Sequence, residues 1–186
     1  LGCFVGQNGG TIKNCKNTGY TRVNATLGTI SANTTFSTPC IAGGFAAIGH
    51  SVTDKPGVSS VGYTAHEGVT PGRFENCVNE GELKVTVVAP ARKTTISAVG
   101  GICGLVVLDG VEFEGCSNSG NISRISNGEG SNDGTSCVGG ILGSDCSDAT
   151  LGSAVGAATI QNSTNSGVVA GYTKKRKNGR SLALGG

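Results

Sequence analysis

Two short motifs alternate four times along this chain, and this repetition constrains its fold more than any other feature. The first, which we call the glycine-pair motif, reads LGCFVG at 1–6, AGGFAA at 42–47, VGGICG at 99–104 and VGGILG at 138–143. The second, which we call the asparagine motif, reads TIKNCKNTGY at 11–20, RFENCVNEGEL at 73–83, EFEGCSNSGNI at 112–122 and TIQNSTNSGVV at 159–169. Such self-similarity is typical of a stacked array of repeats.

The segments between the motifs vary in length, whereas the motifs themselves do not. From the glycine-pair motif to the cysteine position of the next asparagine motif, the spacing ranges from 12 residues (3 to 15) to 33 residues (44 to 77). Constant anchors with variable spacers are typical of a stack whose loops leave on one side. We therefore predict one turn of chain per repeat with outward loops, and two turns per repeat remain the alternative.

The segments around the motifs favour strands. Runs such as KVTVVA (84–89), ICGLVVL (102–108) and GVVAGY (167–172) are rich in Val and bounded by turn residues. We predict an all-β fold, a β-solenoid, and a right-handed parallel β-helix, because parallel crossovers are nearly always right-handed. It forms a single segment, 1–186, and its repeats run over 1–41, 42–98, 99–137 and 138–184, with 185–186 opening a next repeat. We expect the chain to be part of a longer array.

The composition fits a thin core. Aromatic residues make up 4% of the chain and Trp is absent, so there are too few large side chains to fill a wide interior at native density. A stack one side chain thick needs only Ile, Val and Cys. The net charge of +2 gives no reason to expect nucleic acid as a partner. No window approaches the roughly 20 apolar residues that span a bilayer, so we expect no direct membrane insertion.

The asparagine motif contains a predicted corner. Ile12 and Cys15 lie three residues apart, which would place them on opposite faces of a continuous strand. A bend at Asn14 allows both side chains to point inward. A glycine follows the second Asn of each motif by two positions, and we expect positive φ there, at Gly19, Gly81, Gly120 and Gly167.

Two columns of small polar side chains are predicted inside the stack. The motif aligns Cys15, Cys77 and Cys116 with Ser163, and it aligns Asn17, Asn79, Asn118 and Asn165. Because Ser cannot join a disulfide, we predict a column of buried thiols, with disulfides between neighbouring repeats as the alternative. The chain has no Cys-x-x-Cys pair and no phosphate-binding or dinucleotide-binding motif, so we expect neither a metal nor a cofactor.

The segment 50–73 is the most individual part of the chain, since it has no counterpart in the other repeats. Insertions on one face of a repeat stack often bind ligands. The candidate binding residues in this segment are His50, Tyr63, His66 and Arg73. A surface loop without a ligand is the alternative.

Three other sets of polar residues are candidates for contacts or modification. A basic run is a candidate contact for a polyanion, with a solvated loop as the alternative; it comprises Lys174, Lys175, Arg176, Lys177 and Arg180. Asn33 is the candidate glycosylation site if the chain is secreted by a eukaryote. In-register stacking would bring Glu75 beside Glu114, and we expect this acidic line to be ordinary exposed charge.

The strings GGICG and GGILG, followed by ENCVNEG and EGCSNSG, resemble the GGIxG…xNCxNxG repeats of large surface proteins in bacteria and protists, which are related to the GLUG-type families. The resemblance covers essentially the whole chain and implies a β-solenoid in an extracellular or cell-surface protein, commonly an adhesin or stalk. It implies no catalytic residues. The chain departs from the pattern at Cys3, Gly115 and Ser163.

The repeats and the resemblance together predict a structural and adhesive module of a longer surface protein or filament, and not an enzyme. Its expected partners are neighbouring repeats of the same or an identical chain, with glycans or surface proteins as further candidates. The alternative is a carbohydrate-binding or carbohydrate-active β-helix that uses the segment 50–73.

Overall fold

The computed structural model describes residues 1–26, 40–51, 70–88, 95–106, 110–126, 133–144, 158–173 and 182–185. Within these ranges the chain is all-β, as the sequence predicts, and every regular element is a strand. The described residues include no helix long and apolar enough to cross a membrane.

The strands recur in the same order from one structural repeat to the next. The first repeat contributes β1 (Val5–Gln7), β2 (Thr11–Lys13), β3 (Lys16–Asn17) and β4 (Thr21–Thr26). The second contributes β5 (Cys40–Gly43), β6 (Ala46–Ile48), β7 (His50–Ser51), β8 (Thr70–Pro71), β9 (Arg73–Glu75), β10 (Val78–Asn79) and β11 (Leu83–Val88). The third contributes β12 (Thr95–Gly100), β13 (Cys103–Leu105), β14 (Val111–Glu114), β15 (Ser117–Asn118) and β16 (Ile122–Ser126). The fourth contributes β17 (Asp133–Gly139), β18 (Leu142–Ser144), β19 (Ala158–Gln161), β20 (Thr164–Asn165) and β21 (Val169–Thr173), and β22 (Leu182–Gly185) follows.

All of these strands except β7 and β8 form five parallel four-stranded sheets, which we number in the order in which the chain visits them. Their strand orders are β1-β6-β13-β18 for sheet 1, β2-β9-β14-β19 for sheet 2, β3-β10-β15-β20 for sheet 3, β4-β11-β16-β21 for sheet 4 and β5-β12-β17-β22 for sheet 5. Neighbours in each sheet come from consecutive repeats. The first repeat has no strand in sheet 5 and contributes only Gly2, which forms an isolated parallel bridge with Gly43. Each repeat therefore passes once through the five sheets.

The register of the sheets reproduces the alignment of the motifs in the sequence. Asn79 pairs with Asn17 on one side and with Asn118 on the other, and Asn118 pairs with Asn165. Glu114 pairs with Glu75, as predicted from in-register stacking. Equivalent side chains consequently stand above one another in columns that run through all four repeats.

The predicted corner at the first Asn of the motif is confirmed. The backbone has positive φ at Asn14 (54°), Asn76 (49°), Gly115 (61°) and Asn162 (48°). Asn tolerates this left-handed conformation better than most residues and Gly adopts it without a Cβ clash. The departure of the third repeat from the motif, Gly115 in place of Asn, therefore preserves the corner.

The expectation of positive φ at Gly19, Gly81, Gly120 and Gly167 is wrong, because the positive-φ glycines of the described chain are Gly110 and Gly115. Close stacking explains these glycines instead. A Cβ at Gly81 would collide with the carbonyl oxygen of Gly19, and one at Gly120 with that of Gly81. The backbones of neighbouring repeats lie close together at this position, so a larger residue would push them apart.

The interior is divided into two apolar clusters. The larger cluster lies on the side of sheets 1 to 3 and includes the stacked rings of Phe74 and Phe113, whose centroids are 4.9 Å apart. The smaller cluster lies between sheets 4 and 5, with Val85 and Val99 at its centre. The larger cluster consists of aliphatic, Phe and Cys side chains, and the smaller one of aliphatic side chains and Cys40. A chain with few aromatic residues can fill such a core.

Two connections in each repeat carry the variation in repeat length. One joins sheet 1 to sheet 2 and includes 52–69 and 145–157; the other joins sheet 4 to sheet 5 and includes 27–39 and 174–181. The remaining corners, which the two motifs form, keep a constant length. The insertion in the second repeat begins and ends in a short antiparallel pair, β7 with β8.

Candidate functional site

A ladder of asparagine side chains runs through the four repeats and is the most regular polar feature of the described chain. The Nδ2 of Asn17 donates to Oδ1 of Asn79 (2.8 Å), that of Asn79 to Asn118 (2.6 Å), and that of Asn118 to Asn165 (2.7 Å). Asn79 and Asn118 are fully buried. Buried amides are costly unless they are hydrogen-bonded. Here the Nδ2 of each Asn donates to the Oδ1 of the Asn in the next repeat.

The direction of this ladder is fixed by the backbone. Nδ2 of Asn79 also donates to the carbonyl of Gly81 (3.0 Å), Asn118 donates to Gly120 (2.9 Å), and Asn165 to Gly167. A carbonyl oxygen only accepts hydrogen bonds, so the amide nitrogen must face it and the amide oxygen must face the preceding repeat. Every rung therefore donates toward the C-terminal end of the stack.

The two motifs meet at this ladder, a contact that the sequence analysis did not predict. A Cβ added to the second glycine of the pair would strike the ladder asparagine of the same repeat: Gly101 faces Asn118, and Gly140 faces Asn165. The contact lies between the two apolar clusters. The matching periods of the two motifs were the signal available in the sequence, because partners in one repeat must recur together.

The predicted cysteine column consists of free thiols. Cys15, Cys77 and Cys116 are unbonded to one another, and the last two are buried. Sγ of Cys77 donates to the carbonyl of Ile12 (3.3 Å) and Sγ of Cys116 to that of Phe74 (3.4 Å), while Ser163 Oγ donates to Gln161 (2.8 Å). The neighbouring thiol of Cys116, together with burial, raises the pKa of Cys77 above its usual range. These thiols pack as small core residues that also satisfy backbone carbonyls.

The buried thiol of Cys103 should make the free energy of unfolding depend on pH. Burial raises the pKa of Cys103 from 9.0 to about 12. The folded chain thus keeps this thiol neutral at a pH where the unfolded chain ionises it, so its contribution to stability is complete below pH 9 and is lost as the pH rises toward 12. We expect Cys103 to account for a loss of about 1.4 kcal/mol per pH unit in that window.

The matched variant is Cys103→Ala, because Ala46 occupies the same column one repeat earlier. Urea unfolding of both proteins between pH 9 and pH 12 measures the slope. The variant should lose stability less steeply than the wild type, and equal slopes would show that Cys103 is not the group that titrates.

An alternating charge ladder lies on the outer face of sheet 2. Glu75 pairs with Lys13 (2.7 Å) and with Arg73 (2.6 Å), and Arg73 reaches Glu112 in the next repeat (3.2 Å). The hydrogen bond from Lys13 lowers the pKa of Glu75 below its ordinary value, and the charges of Lys13 and Arg73 lower it further. Desolvation of the carboxylate acts in the opposite direction but is outweighed. The acidic line anticipated from sequence is therefore interleaved with bases.

The structure describes two of the four candidate binding residues of the segment 50–73. Arg73 lies on β9 in the ion pairs just described, and His50 begins β7, with its backbone paired to Pro71. Tyr63 and His66 lie outside the described residues. The same holds for Asn33 and for the whole basic run, Lys174, Lys175, Arg176, Lys177 and Arg180.

Arg124 is a buried residue that the sequence analysis missed. It lies on the inner face of sheet 4, fully buried, in register with Val85 and with Gly171. Gly171 has no side chain to compete for this space. The charge of Arg124 acts on Cys40. Burial raises the pKa of the Cys40 thiol, and the N-terminal amine and Arg124 offset only part of that rise. The period-2 pattern of ISRIS at 122–126 was the available signal, since it puts Ile122 and Arg124 on one face.

In the part of the chain that the structure describes, no three His, Cys, Asp or Glu side chains converge on a possible metal position. The feature that the geometry does define is the set of in-register columns. Comparison of the chain with protein-family models, with curated proteins and with solved structures found no match.

Proposed function

We propose that this chain is a non-enzymatic structural segment of an extracellular or cell-surface repeat protein, folded as a right-handed β-solenoid. Its repeats would act as a stiff spacer, and the connections that vary in length would carry the surfaces that contact partners. The single observation that carries the proposal is the in-register pairing of every repeat with the next in all five sheets.

The physical chemistry of the stack supports a mechanical role. Each repeat is joined to its neighbours by backbone hydrogen bonds in five sheets and by a buried amide rung. The bonds between repeats lie along the stack, so a force that separates two repeats strains many of them together. The resemblance of the motifs to surface-protein repeats supports an extracellular or cell-surface location.

The carbohydrate alternative has weaker support. It depends on the segment 50–73, and the guanidinium of Arg73 is already engaged by Glu75 and Glu112. A ligand would have to compete with these two carboxylates for the same donors. The stacking role uses contacts that are present in every repeat, and for this reason we prefer it.

Single-molecule pulling tests the mechanical role. Four rungs at a strand spacing of about 4.8 Å make a folded height of roughly 19 Å, whereas the unfolded chain of 186 residues extends to roughly 650 Å. With the chain held between two folded marker domains, we expect no extension until discrete ruptures release this length. Continuous lengthening from the lowest forces would contradict the proposal.

The location has a separate test. An antibody against this chain should label intact cells that express the parent protein. Labelling that appears only after the cells are permeabilised would contradict an extracellular position.

A further inference from the structure

Four of the five sheets are stacked as layers, with sheets 5 and 1 in the middle. Sheet 4 packs on sheet 5 through the smaller apolar cluster, and sheet 1 packs on sheets 2 and 3 through the larger one. Sheets 5 and 1 lie directly on each other: a Cβ placed on Gly104 would approach the carbonyl oxygen of Ala42 to 2.6 Å and Cγ2 of Ile41 to 2.8 Å. The layers therefore follow the order 4, 5, 1, 2, and the outer faces of sheets 4 and 2 point in opposite directions.

These two outer faces run along the stack, so further repeats would lengthen them without covering them. Their strands are in register, and equivalent side chains recur at the strand spacing of about 4.8 Å. The connections of variable length begin and end at strand ends. No insertion therefore falls within either face.

The outer face of sheet 4 is basic. Arg22 and Lys84 stand in register on neighbouring strands, and none of the four strands contains Asp or Glu. Neither side chain forms an ion pair with a described residue, although Arg22 donates to the hydroxyl of Tyr20 (2.9 Å). Like charges on directly opposed residues repel each other, so a carboxylate from outside the chain would stabilise this pair.

The opposite outer face, that of sheet 2, is acidic. Its four strands contain three Glu and two bases. Lys13 and Arg73 hold Glu75, and Arg73 also reaches Glu112. Glu114 contacts no base among the described residues, and its Oε1 accepts from an Asn amide at 2.7 Å. One carboxylate on this face is thus left over after the pairing within the chain.

The connections show the same division of charge in their sequences. The four connections from sheet 4 to sheet 5 contain seven Lys or Arg and one Glu. The four connections from sheet 1 to sheet 2 contain one Lys and five Asp or Glu. The net charge of +2 is therefore the sum of a basic half, which comprises sheets 4 and 5, and an acidic half, which comprises sheets 1 to 3.

We propose that copies of this chain associate side by side, with the outer face of sheet 4 of one copy on the outer face of sheet 2 of the next. A second copy fits this surface because one chain carries both complementary faces, and their rungs recur at the same spacing. Since the two faces point in opposite directions, the contact does not close on itself and produces rows of stacks. The inference goes beyond the proposed function, which requires stacking within one chain only.

The association of a single segment should be weak. The face of sheet 4 measures about 19 Å along the stack and about 17 Å along its strands, or roughly 320 Å². Each partner of a stable complex contributes about 800 Å², and exposed ion pairs add little. In a longer array the same contact would recur with every repeat, so its strength would grow with the number of repeats.

Sedimentation velocity at two ionic strengths tests the contact. The Debye length is about 30 Å at 0.01 M salt and about 3 Å at 1 M. The wild type should form species in multiples of 18.4 kDa at low salt and be monomeric at high salt. A wild type that is monomeric at low salt would overturn the inference. So would one that associates only when an acidic polysaccharide is added, because sheet 4 would then be a site for a polyanion.

Two variants of equal net charge separate this contact from a general effect of charge. Arg22→Glu with Lys84→Glu reverses the basic face. Lys13→Glu with Lys16→Glu changes the net charge by the same amount but leaves sheet 4 intact. The first protein should associate about tenfold more weakly than the wild type, and the second at least as strongly as the wild type. Equal association of the two variants would contradict the proposed contact.

Exchanging the charges of the two faces gives a test that depends on a gain of association. Glu112→Lys with Glu114→Lys makes sheet 2 basic, so this protein and the Arg22→Glu, Lys84→Glu protein should each be monomeric alone. An equimolar mixture should associate, because every face then meets one of opposite charge. A mixture that stays monomeric, while both proteins keep the circular dichroism of the wild type, would show that sheets 2 and 4 do not form the contact.

The pulling experiment separates this inference from the proposed function. A chain that ruptures in discrete steps but never associates would retain its structural role and lose the lateral contact. A chain that extends continuously at low force would lose the proposed function itself.

Discussion

Asn118→Ala should lower the free energy of unfolding by about 4 kcal/mol, because it leaves several buried polar groups without their partners. The side chain accepts a hydrogen bond from Asn79 and donates to Gly120 and to Asn165. The amide proton of Asn79 and the carbonyl of Gly120 cannot turn to water, since they lie inside the stack. Urea unfolding followed by far-ultraviolet circular dichroism measures the change.

Two further variants define what the ladder contributes. Asn17→Ala, at the half-exposed first rung, removes only one bond between repeats, so we expect about half the effect. Asn118→Leu keeps the number and branching of the side-chain heavy atoms but removes every hydrogen bond of the side chain. We expect it to be as unstable as the Ala variant; wild-type stability of Asn118→Leu would show that the rung fills space and its hydrogen bonds contribute nothing.

Gly101→Ala should cost about 3 kcal/mol, at the upper end of the usual range for overpacking. Its Cβ would collide with the backbone oxygen of Gly140 and would approach Cγ and Oδ1 of Asn118 to 2.8 Å. Neither neighbour can withdraw, because the first belongs to the next repeat's backbone and the second is held in the ladder. Thermal and urea unfolding measure the loss.

Gly6→Ala is the matched control, because within one chain its Cβ would enter open space. A Gly-to-Ala change at such a site alters stability by less than about 1 kcal/mol, through the unfolded chain. If both variants melted at the temperature of the wild type, the contact between the two motifs would not limit the approach of the repeats.

The sequence was most informative where a residue type recurs for a local reason. The corner at Asn14 follows from the three-residue spacing of Ile12 and Cys15, and the positive φ of the backbone there confirms it. The columns follow from the alignment of the motifs, because equivalent residues in a parallel array must face one another. Such inferences need only the period of the sequence and the geometry of a strand.

The glycines after the ladder asparagines show where this reasoning fails. A recurring Gly can indicate either positive φ or close packing, and the sequence does not distinguish the two. Sequence reasoning chose the first at Gly81, whereas the structure shows the second, because the carbonyl of Gly19 lies where a Cβ would be. Arg124 is a second example: no sequence argument singled it out, although the alternation of its strand places it on the same face as Ile122, and the structure buries it.

The sequence by itself determined that four equivalent units exist, that they consist of strands and that their variable lengths fall outside the two motifs. Each of these depends on recurrence along the chain. Only the tertiary structure decided that the glycine pair of a repeat packs on its own ladder asparagine and that the ladder has a direction. These depend on contacts across the interior and on the orientation of amides, which arise only when the chain returns to meet its own earlier turn.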